Sequence, residues 1–307
     1  MERKPRALID LHLHSSVSDG LYSPRELVRR AWNAGIRVMA VTDHDTMSGL
    51  GASSEAASML GMKFITGVEV TAVHGGSDVH VLGYGLPADA PALNLMIAQQ
   101  RHKRALRARE IAARLARLGA PIDVEALVAS GGEGRGKAIA RPQIAAQLVA
   151  AGHVSSIAEA FERFLGEQCP AYVPHQGASP AEVVSAIVAS GGVASLAHPG
   201  KWNRDDLIPG LIGAGMSCLE VFCGWHDSLA TEHYRTLARR YGLLATGGSD
   251  YHGPGTRHAE LFGTISLPEP DFRRLETLLA SRISCRRAAV GGAPECPYNG
   301  SPRRKDR

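Results

Sequence analysis

Nine histidine, aspartate and glutamate side chains of this 307-residue chain recur where predicted strands end. They are His12, His14, Asp19, His44, Glu69, His80, His198, Asp250 and His252. A lone histidine is more often a packed or surface residue, but this many buried polar and charged groups are costly unless they bind metal. The mixed nitrogen and oxygen donors predict a multinuclear site for Zn, Mn or Fe, because no thiolate is present to favour a softer metal.

The spacing of these residues indicates that they share one side of the fold. His12 and His14 lie two apart on one predicted strand, so the alternation of side chains along a strand points both imidazoles to the same face. Close metal ions lower the pKa of a bound water and clamp the oxygens of a substrate. Phosphate esters suit such a site, since their charge is spread over three oxygens. Carboxamide hydrolysis is also open to it.

The elements that position these residues alternate along the chain. Strands are predicted at residues 7–14, 37–42, 63–70, 78–83, 193–197, 218–222, 243–246 and 262–266. Helices are predicted at residues 24–34, 48–60, 181–190, 205–214, 229–241 and 271–281. Repeated strand–helix units of this kind predict a parallel α/β barrel, and a barrel places its active site at the carboxyl ends of the strands.

The alternation is interrupted between residues 88 and 172, where only helical patterns occur. These helices are predicted at residues 91–118, 124–129, 142–151 and 157–165. The sequence therefore predicts a discontinuous barrel of residues 1–87 and 173–287 with an all-helical insertion at 88–172. Residues 288–307 are rich in Gly, Pro and Arg, which predicts a disordered tail.

Composition narrows the classes of function. The net charge of +4 lies in residues 284–307, and the neutral remainder argues against a large basic face for duplex DNA. Five cysteines without a CxxC pair indicate free thiols in a reducing compartment. No apolar run suits a signal peptide or a membrane span. We therefore expect a cytoplasmic protein with no membrane partner. The oligomeric state stays open.

Seven short motifs connect these residues to a known family. They are DLHLHS (10–15), SDG (18–20), TDHD (42–45), GVEV (67–70), HVLGY (80–84), AHPG (197–200) and GGSDYHG (247–253). Together they resemble the PHP (polymerase and histidinol phosphatase) family over most of residues 7–267. The resemblance implies a distorted (β/α)7 barrel with a trinuclear metal site, for which Mn²⁺ is favoured and Fe²⁺ or Zn²⁺ are alternatives.

The resemblance also assigns ligands to three ions. The first ion would be held by His12, His14, Glu69 and Asp250. The second would share Glu69 and add His80 and His198. The third would be held by Asp19, His44 and His252. Each of the nine positions carries a residue type that can bind metal.

Three further residues are predicted to act on the substrate, in catalytic and binding roles. Arg141 opens a helix with Pro142 in its first turn, where free backbone N–H groups favour a phosphate. Lys201 follows the AHPG motif, and His175 lies in YVPHQ (172–176). A solvated Arg141 and a surface His175 are the alternatives. The ARPQIA block, YVPHQ and the long insertion resemble the branch of 3′,5′-nucleoside bisphosphate phosphatases and RNase AM-type 5′-to-3′ exoribonucleases, although Gln143 stands where that branch usually has His.

These features predict a metal-dependent phosphoesterase. We expect attack of a metal-bound hydroxide on the 3′-phosphate of a 3′,5′-nucleoside bisphosphate such as pAp, giving a 5′-nucleotide and phosphate. The alternatives are a 5′-to-3′ exoribonuclease on short 5′-phosphorylated RNA, a small-molecule phosphatase of the histidinol-phosphate type, and a non-catalytic structural module that binds metal. A small nucleotide or a short single-stranded RNA is the expected partner.

Several polar residues outside these sets have two interpretations. Residues 101–117 hold seven basic residues, for which we expect a solvated face, with guidance of a short RNA as the alternative. Asp10 either orients a metal ligand or accepts hydrogen bonds from loop backbone. His226 and His233 are predicted to lie at the surface or behind the ligands, and His258 belongs to no motif.

Overall fold

The computed structural model describes residues 9–87, 89–131, 139, 141–256 and 258–290. Seven strands form one sheet in chain order. They are β1 (Ile9–Asp10), β2 (Val38–Val41), β3 (Lys63–His74), β4 (Ser77–Tyr84), β5 (Val193–Leu196), β6 (Cys218–Cys223) and β7 (Leu244–Gly248). Backbone hydrogen bonds join residues 11–14 to residues 247–251, so the first and last strands meet and the sheet nearly closes. The predicted distorted seven-stranded barrel is confirmed.

The helices cover the outside of this sheet and fill the interval between β4 and β5. They are α1 (Pro24–Asn33), α2 (Leu50–Met59), α3 (Pro91–Arg117), α4 (Val124–Gly131), α5 (Arg141–Ala150), α6 (Ile157–Ala160), α7 (Pro180–Ala189), α8 (Ile208–Gly213), α9 (Ser228–Tyr241) and α10 (Glu269–Val290). In the described part of the chain, no helix is both long and apolar enough to cross a membrane.

Local sequence signals explain several of these boundaries. Ser23 caps α1 and Ser179 caps α7, where Glu182 completes a capping box. Gly242 ends α9 in the left-handed conformation that glycine adopts without a steric penalty. These boundaries agree with the predicted ends of the helices.

The insertion is helical, as predicted. Helices α3 to α6 and the π-helical turn Phe161–Leu165 that follows them bury a set of apolar side chains distinct from those around the barrel strands, including Ile111, Leu115, Ile144, Leu148 and Leu165. Treating residues 88–172 as a separate domain stays a prediction.

One strand direction differs from the expected parallel sheet. β4 runs antiparallel to both β3 and β5. Gly75 and Gly76 form a two-residue connection between β3 and β4, with φ of 57° and 80°. Such a turn joins antiparallel strands. Because β4 is reversed, His80 lies early in its strand and still faces the mouth at which the parallel strands end.

The prediction of a strand at residues 262–266 is wrong. Ala259–Leu261 forms a 3-10 turn, and Gly263 has a φ of 71°, which interrupts an extended conformation. Phe262 stacks on Tyr251 at 4.2 Å instead. The predicted strand at 7–14 is also too long, because only Ile9–Asp10 forms regular strand in the described residues.

The end of the chain also differs from expectation. Helix α10 continues to Val290, so a disordered tail does not begin at residue 288. The remainder of that prediction, residues 291–307, lies outside the described residues. Cys169, Cys218 and Cys223 are free thiols, but Cys285 is disulfide-bonded, and the expectation of free thiols is wrong at that position.

Candidate metal centre and substrate cavity

Glu69 lies at the centre of the predicted ligands. Its Oε2 is 3.2 Å from His12 Nε2, 3.1 Å from His14 Nε2 and 3.2 Å from His44 Nδ1. Its Oε1 is 2.8 Å from His80 Nδ1 and 3.1 Å from His198 Nε2. The Glu69 side chain is fully buried, and this one carboxylate faces five imidazoles.

The two other carboxylates extend the cluster on one side. Asp250 Oδ1 lies 3.3 Å from His12 Nε2 and 3.2 Å from His14 Nε2. Asp19 Oδ1 lies 3.3 Å from His252 Nε2. All nine predicted ligands therefore come together at one mouth of the barrel.

Potential ligand atoms within 4.8 Å of one another fall into three groups. The first group is His12, His14, Glu69 and Asp250. The second is His44, Glu69 and His80. The third is His14, Asp19, His44 and His252. The first group coincides with the first ligand set implied by the family resemblance. The other two overlap with the remaining sets: His44 takes the place of His198 in the second, and His14 joins the third. His198 belongs to none of the three groups, although its Nε2 lies 3.1 Å from Glu69 Oε1.

The polar atoms of the cluster fit a metal centre better than a hydrogen-bonded network. Among the nine proposed ligands, five imidazole nitrogens are buried without a hydrogen-bond partner: both ring nitrogens of His14 and the Nδ1 atoms of His44, His80 and His198. Such orphaned atoms are rare in proteins. Nitrogen and carboxylate donors facing one space form a set that binds Mn²⁺, Fe²⁺ or Zn²⁺.

Electrostatics within the cluster point the same way. Burial opposes charge on Glu69, but the surrounding imidazoles hold the pKa of this carboxyl well below its usual range. Burial also opposes protonation of His14, yet the neighbouring carboxylates of Asp250 and Glu69 raise its pKa to about 10. For His44, burial prevails and lowers the pKa to about 3. The carboxylates thus stay charged and must be neutralised by cations, either protons or metal ions.

Two residues that support the ligands were not anticipated. Glu220, buried in β6, accepts a hydrogen bond from His12 Nδ1 at 2.9 Å and another from the backbone N of His198 at 2.7 Å. Trp225 Nε1 donates to Asp250 Oδ2 at 3.0 Å. The sequence feature that could have identified Glu220 is its position as an acidic residue inside the apolar strand CLEVFC. No pattern marks Trp225.

The aspartates that neighbour the motif histidines stabilise loops. Asp10 accepts hydrogen bonds from the backbone N of His12 and from both N and Oγ of Ser249, so the backbone interpretation is confirmed. Asp43 accepts hydrogen bonds from Ser15 and Ser18, which shapes the loop that carries Asp19.

A cavity of about 670 Å³ adjoins the cluster. Six of the predicted metal ligands line it: Asp19, His44, His80, His198, Asp250 and His252. The lining also includes the cations Arg104, Arg107, Arg141 and Lys201. Aromatic rings of Phe161, Trp202 and Trp225 contribute to the lining, as do Asp78, Gln143 and His258. The cavity therefore offers polar atoms for a phosphoryl group, cations for its charge and flat apolar faces.

Aromatic rings hold two of these cations. Lys201 Nζ lies 4.7 Å from the ring centroid of Trp202 and 4.6 Å from that of Trp225. The Arg141 guanidinium carbon lies 5.4 Å from the Tyr172 ring centroid, and its Nη1 donates to the carbonyl of Leu165 at 3.2 Å. Cation–π contacts orient a cation without cancelling its charge as a carboxylate would.

The basic helix α3 is not the solvated face that we expected. Arg101 donates to the Asp45 carbonyl at 2.6 Å, and Arg104, only 6% exposed, lies 3.4 Å from the Asp45 carboxylate. Arg107 lines the cavity and donates to the Val173 carbonyl at 2.8 Å. The expectation is wrong for these three residues because helical periodicity brings them to the side that faces the barrel.

His175 takes a different place from the other predicted substrate residues. It is 5% exposed and hydrogen-bonds Asp78, and Asp78 rather than His175 lines the cavity. Any influence of His175 on the substrate would pass through that carboxylate. Arg141 and Lys201 both line the cavity, as their predicted roles require.

Together, the barrel and its site define the class of protein, a hydrolase that acts on phosphoester bonds and depends on metal ions. Residues 10–118 match the PHP domain. The chain belongs to the PHP family, which the motifs had indicated.

Known relatives include members of the predicted branch. The chain is 35% identical over 284 residues to the 3′,5′-nucleoside bisphosphate phosphatase of Chromobacterium violaceum, covering 88% of this chain and 97% of that relative. It is 34% identical over 256 residues to the 5′-3′ exoribonuclease of Haemophilus influenzae, covering 80% and 90%. A solved structure from Bifidobacterium adolescentis, assigned as a metal-dependent phosphoesterase, superposes with a TM-score of 0.77 at 32% identity, covering 90% of this chain and 98% of the other.

Proposed function

We propose that this phosphoesterase removes the 3′-phosphate of a 3′,5′-nucleoside bisphosphate such as pAp, giving a 5′-nucleotide and phosphate. The observation that carries the proposal is the presence of two aromatic-held cations in one cavity. Lys201 lies beside two tryptophans that contact the cluster, since Trp202 packs on His80 and Trp225 packs on His198. Arg141, in the inserted helices, lines the same cavity. A substrate with two phosphate groups uses both cations.

The nine residues of the cluster are the proposed ligands of three divalent ions, with Mn²⁺ as the first choice and Fe²⁺ or Zn²⁺ as alternatives. When bound, such ions would activate water as a nucleophile and neutralise charge on the phosphoryl oxygens. The three groups of ligand atoms support this count, and the central position of Glu69 supports its role as a shared ligand.

Protein residues around the cluster would orient the ligands and the substrate. An ionised carboxylate only accepts hydrogen bonds, so Glu220 keeps the proton of His12 on Nδ1 and leaves Nε2 free to bind an ion. In the proposed complex, Lys201 binds the phosphate that is released and Arg141 binds the 5′-phosphate. The rings of Trp202, Trp225 and Phe161 offer faces on which a nucleobase can stack.

A second candidate is 5′-to-3′ exoribonuclease activity on short RNA. The observation that favours it is the pair Arg104 and Arg107, which adds cations to the cavity beyond those assigned to two phosphates. The relative from Haemophilus influenzae bears that name. A non-catalytic module is not proposed, because the cluster adjoins a substrate-sized cavity.

The decisive experiment compares two substrates in Mn²⁺. Phosphate release from pAp and mononucleotide release from a short 5′-phosphorylated RNA are measured with the same enzyme preparation. We expect kcat/KM for pAp to exceed that for RNA by about tenfold or more. The variant Lys201→Gln should lower activity on pAp, whereas Lys63→Gln, at a surface ion pair with Glu276, should not. Preference for RNA would replace the first candidate by the second, and no activity on either would reject both.

A further inference from the structure

His226, in the loop after β6, uses both of its ring nitrogens. Nδ1 lies 2.8 Å from the carbonyl oxygen of Val221, and Nε2 lies 3.0 Å from the backbone nitrogen of Gly200. A carbonyl oxygen only accepts and a backbone N–H only donates, so Nδ1 carries the proton and Nε2 accepts. The hydrogen bonds therefore specify one neutral tautomer. Burial favours the same form by lowering the pKa of His226.

The segment on the far side of this hydrogen bond carries two functional candidates. Gly200 stands between His198, a proposed ligand, and Lys201, the proposed phosphate-binding cation. His198 has a φ of 27°, a conformation that persists only where the surroundings enforce it. Glu220 holds the segment at the backbone N of His198, and His226 holds it at the backbone N of Gly200.

Packing leaves His226 little freedom to move. Its ring stacks on Tyr234 of α9, with centroids 4.6 Å apart and planes inclined by 20°. A Cβ atom at Gly200 would lie 2.6 Å from Cδ2 of His226, so only glycine allows this approach. His226 does not line the cavity and hence has no direct path to the substrate.

We infer that His226 is a positioning residue that places Lys201 for phosphate binding, acting through its hydrogen bond to Gly200. Without the acceptor at Nε2, the Gly200 N–H loses its partner and the turn Pro199–Lys201 loses one of its two side-chain anchors. Lys201 then leaves its position between Trp202 and Trp225. This inference rests on the proposed role of Lys201.

The test uses two amides of similar chemistry. His226→Gln can place an acceptor oxygen near the position of Nε2, whereas His226→Asn reaches only the position of Nδ1. We expect His226→Asn to raise KM for pAp about tenfold with a smaller change in kcat, and His226→Gln to restore most of the affinity. His233→Asn is the matched control, because that exposed histidine of α9 pairs with Asp205 instead.

A double variant separates positioning from stability. If His226 acts through Lys201, adding His226→Asn to Lys201→Gln should raise KM little further, so the two effects are not additive. Additive effects, or equal KM values for the Asn variant, the Gln variant and the parent, would overturn the inference. Thermal unfolding of each variant shows whether it is folded, and the Gln variant keeps the test informative if the Asn variant is not.

The same comparison is repeated with inorganic phosphate as a ligand, measured by titration calorimetry of the Mn²⁺-loaded protein. A weaker affinity in His226→Asn than in His226→Gln supports the inference even if pAp is not a substrate. If the parent does not hydrolyse pAp but phosphate still binds more weakly to His226→Asn than to His226→Gln, the proposed substrate is wrong and the role of His226 stands. Equal phosphate affinity in all three proteins counts against the role of His226.

Discussion

Replacing Glu220 by Gln tests whether the buried carboxylate behind the cluster determines metal affinity. The change keeps the shape of the side chain but replaces one of its two acceptor oxygens by an NH₂ donor. In the parent, His12 Nδ1 and the backbone N of His198 each donate to a different oxygen of Glu220. The amide keeps only one oxygen at these two positions, so it cannot accept both hydrogen bonds. If the NH₂ faces His12, the imidazole must change tautomer and its Nε2 then carries a proton directed at Glu69.

The expected loss follows from that proton. His12 would no longer offer an unprotonated Nε2 to an ion, and the loss of such supporting hydrogen bonds costs roughly 10–100-fold in metal affinity. That factor corresponds to about 1.4–2.8 kcal/mol. Calorimetric titration with Mn²⁺ measures it directly, and excess Mn²⁺ should restore most of kcat because the defect is one of affinity.

Glu276→Gln is the control for Glu220→Gln, because it makes the same chemical change at a surface ion pair with Lys63. We expect its Mn²⁺ affinity to equal that of the parent. The reasoning is refuted if Glu220→Gln binds Mn²⁺ as tightly as the parent while both proteins are folded by thermal unfolding.

Three further outcomes test other parts of the site. Chelation with EDTA should abolish phosphate release and lower the melting temperature. If the free metal concentration was 100 times Kd before chelation, the free energy of unfolding falls by about 2.7 kcal/mol. Full activity after exhaustive chelation would contradict the metal centre. Arg141→Ala should raise KM for pAp by roughly 10–100-fold, since hydrogen bonds to charged groups contribute about 1.5–3 kcal/mol; steady-state kinetics measures this, and an unchanged KM removes Arg141 from substrate binding. Trp225→Phe removes the hydrogen bond to Asp250 and should weaken Mn²⁺ binding about tenfold in calorimetry; equal affinity would assign Trp225 to the cavity wall alone.

The insertion is a fixed part of the site in this structure. Gln100 Nε2 donates to the carbonyl of Thr71 at 3.0 Å, and its Oε1 accepts from the backbone N of Ala178 at 3.2 Å. Arg101 adds the hydrogen bond to Asp45, which directly follows His44. Helix α3 is thus attached to the strand and loop that carry proposed ligands, and its Arg104 and Arg107 line the cavity at a position set by the barrel.

Side-chain types and their spacing in the chain predicted the nature of the site. The histidines and carboxylates stand at strand ends or on one face of a strand, and strand geometry alone directs such side chains to a common side. Capping residues such as Ser23, Ser179 and Gly242 act over one helical turn, so their effects could be predicted from neighbouring residues. The two glycines at 75 and 76 were also a readable signal for an antiparallel pair.

Only the tertiary structure decided which distant groups would meet. Glu220 supports His12 across 208 positions of the chain, and the ring of Trp225 reaches a carboxylate in a later loop. The cavity-facing arginines of α3 differ from their exposed neighbours only in the helix face they occupy, and that face is chosen by packing against the barrel. Residue types and local periodicity therefore determined the chemistry and the elements, whereas contacts over long sequence separations, which no local pattern encodes, determined the partners.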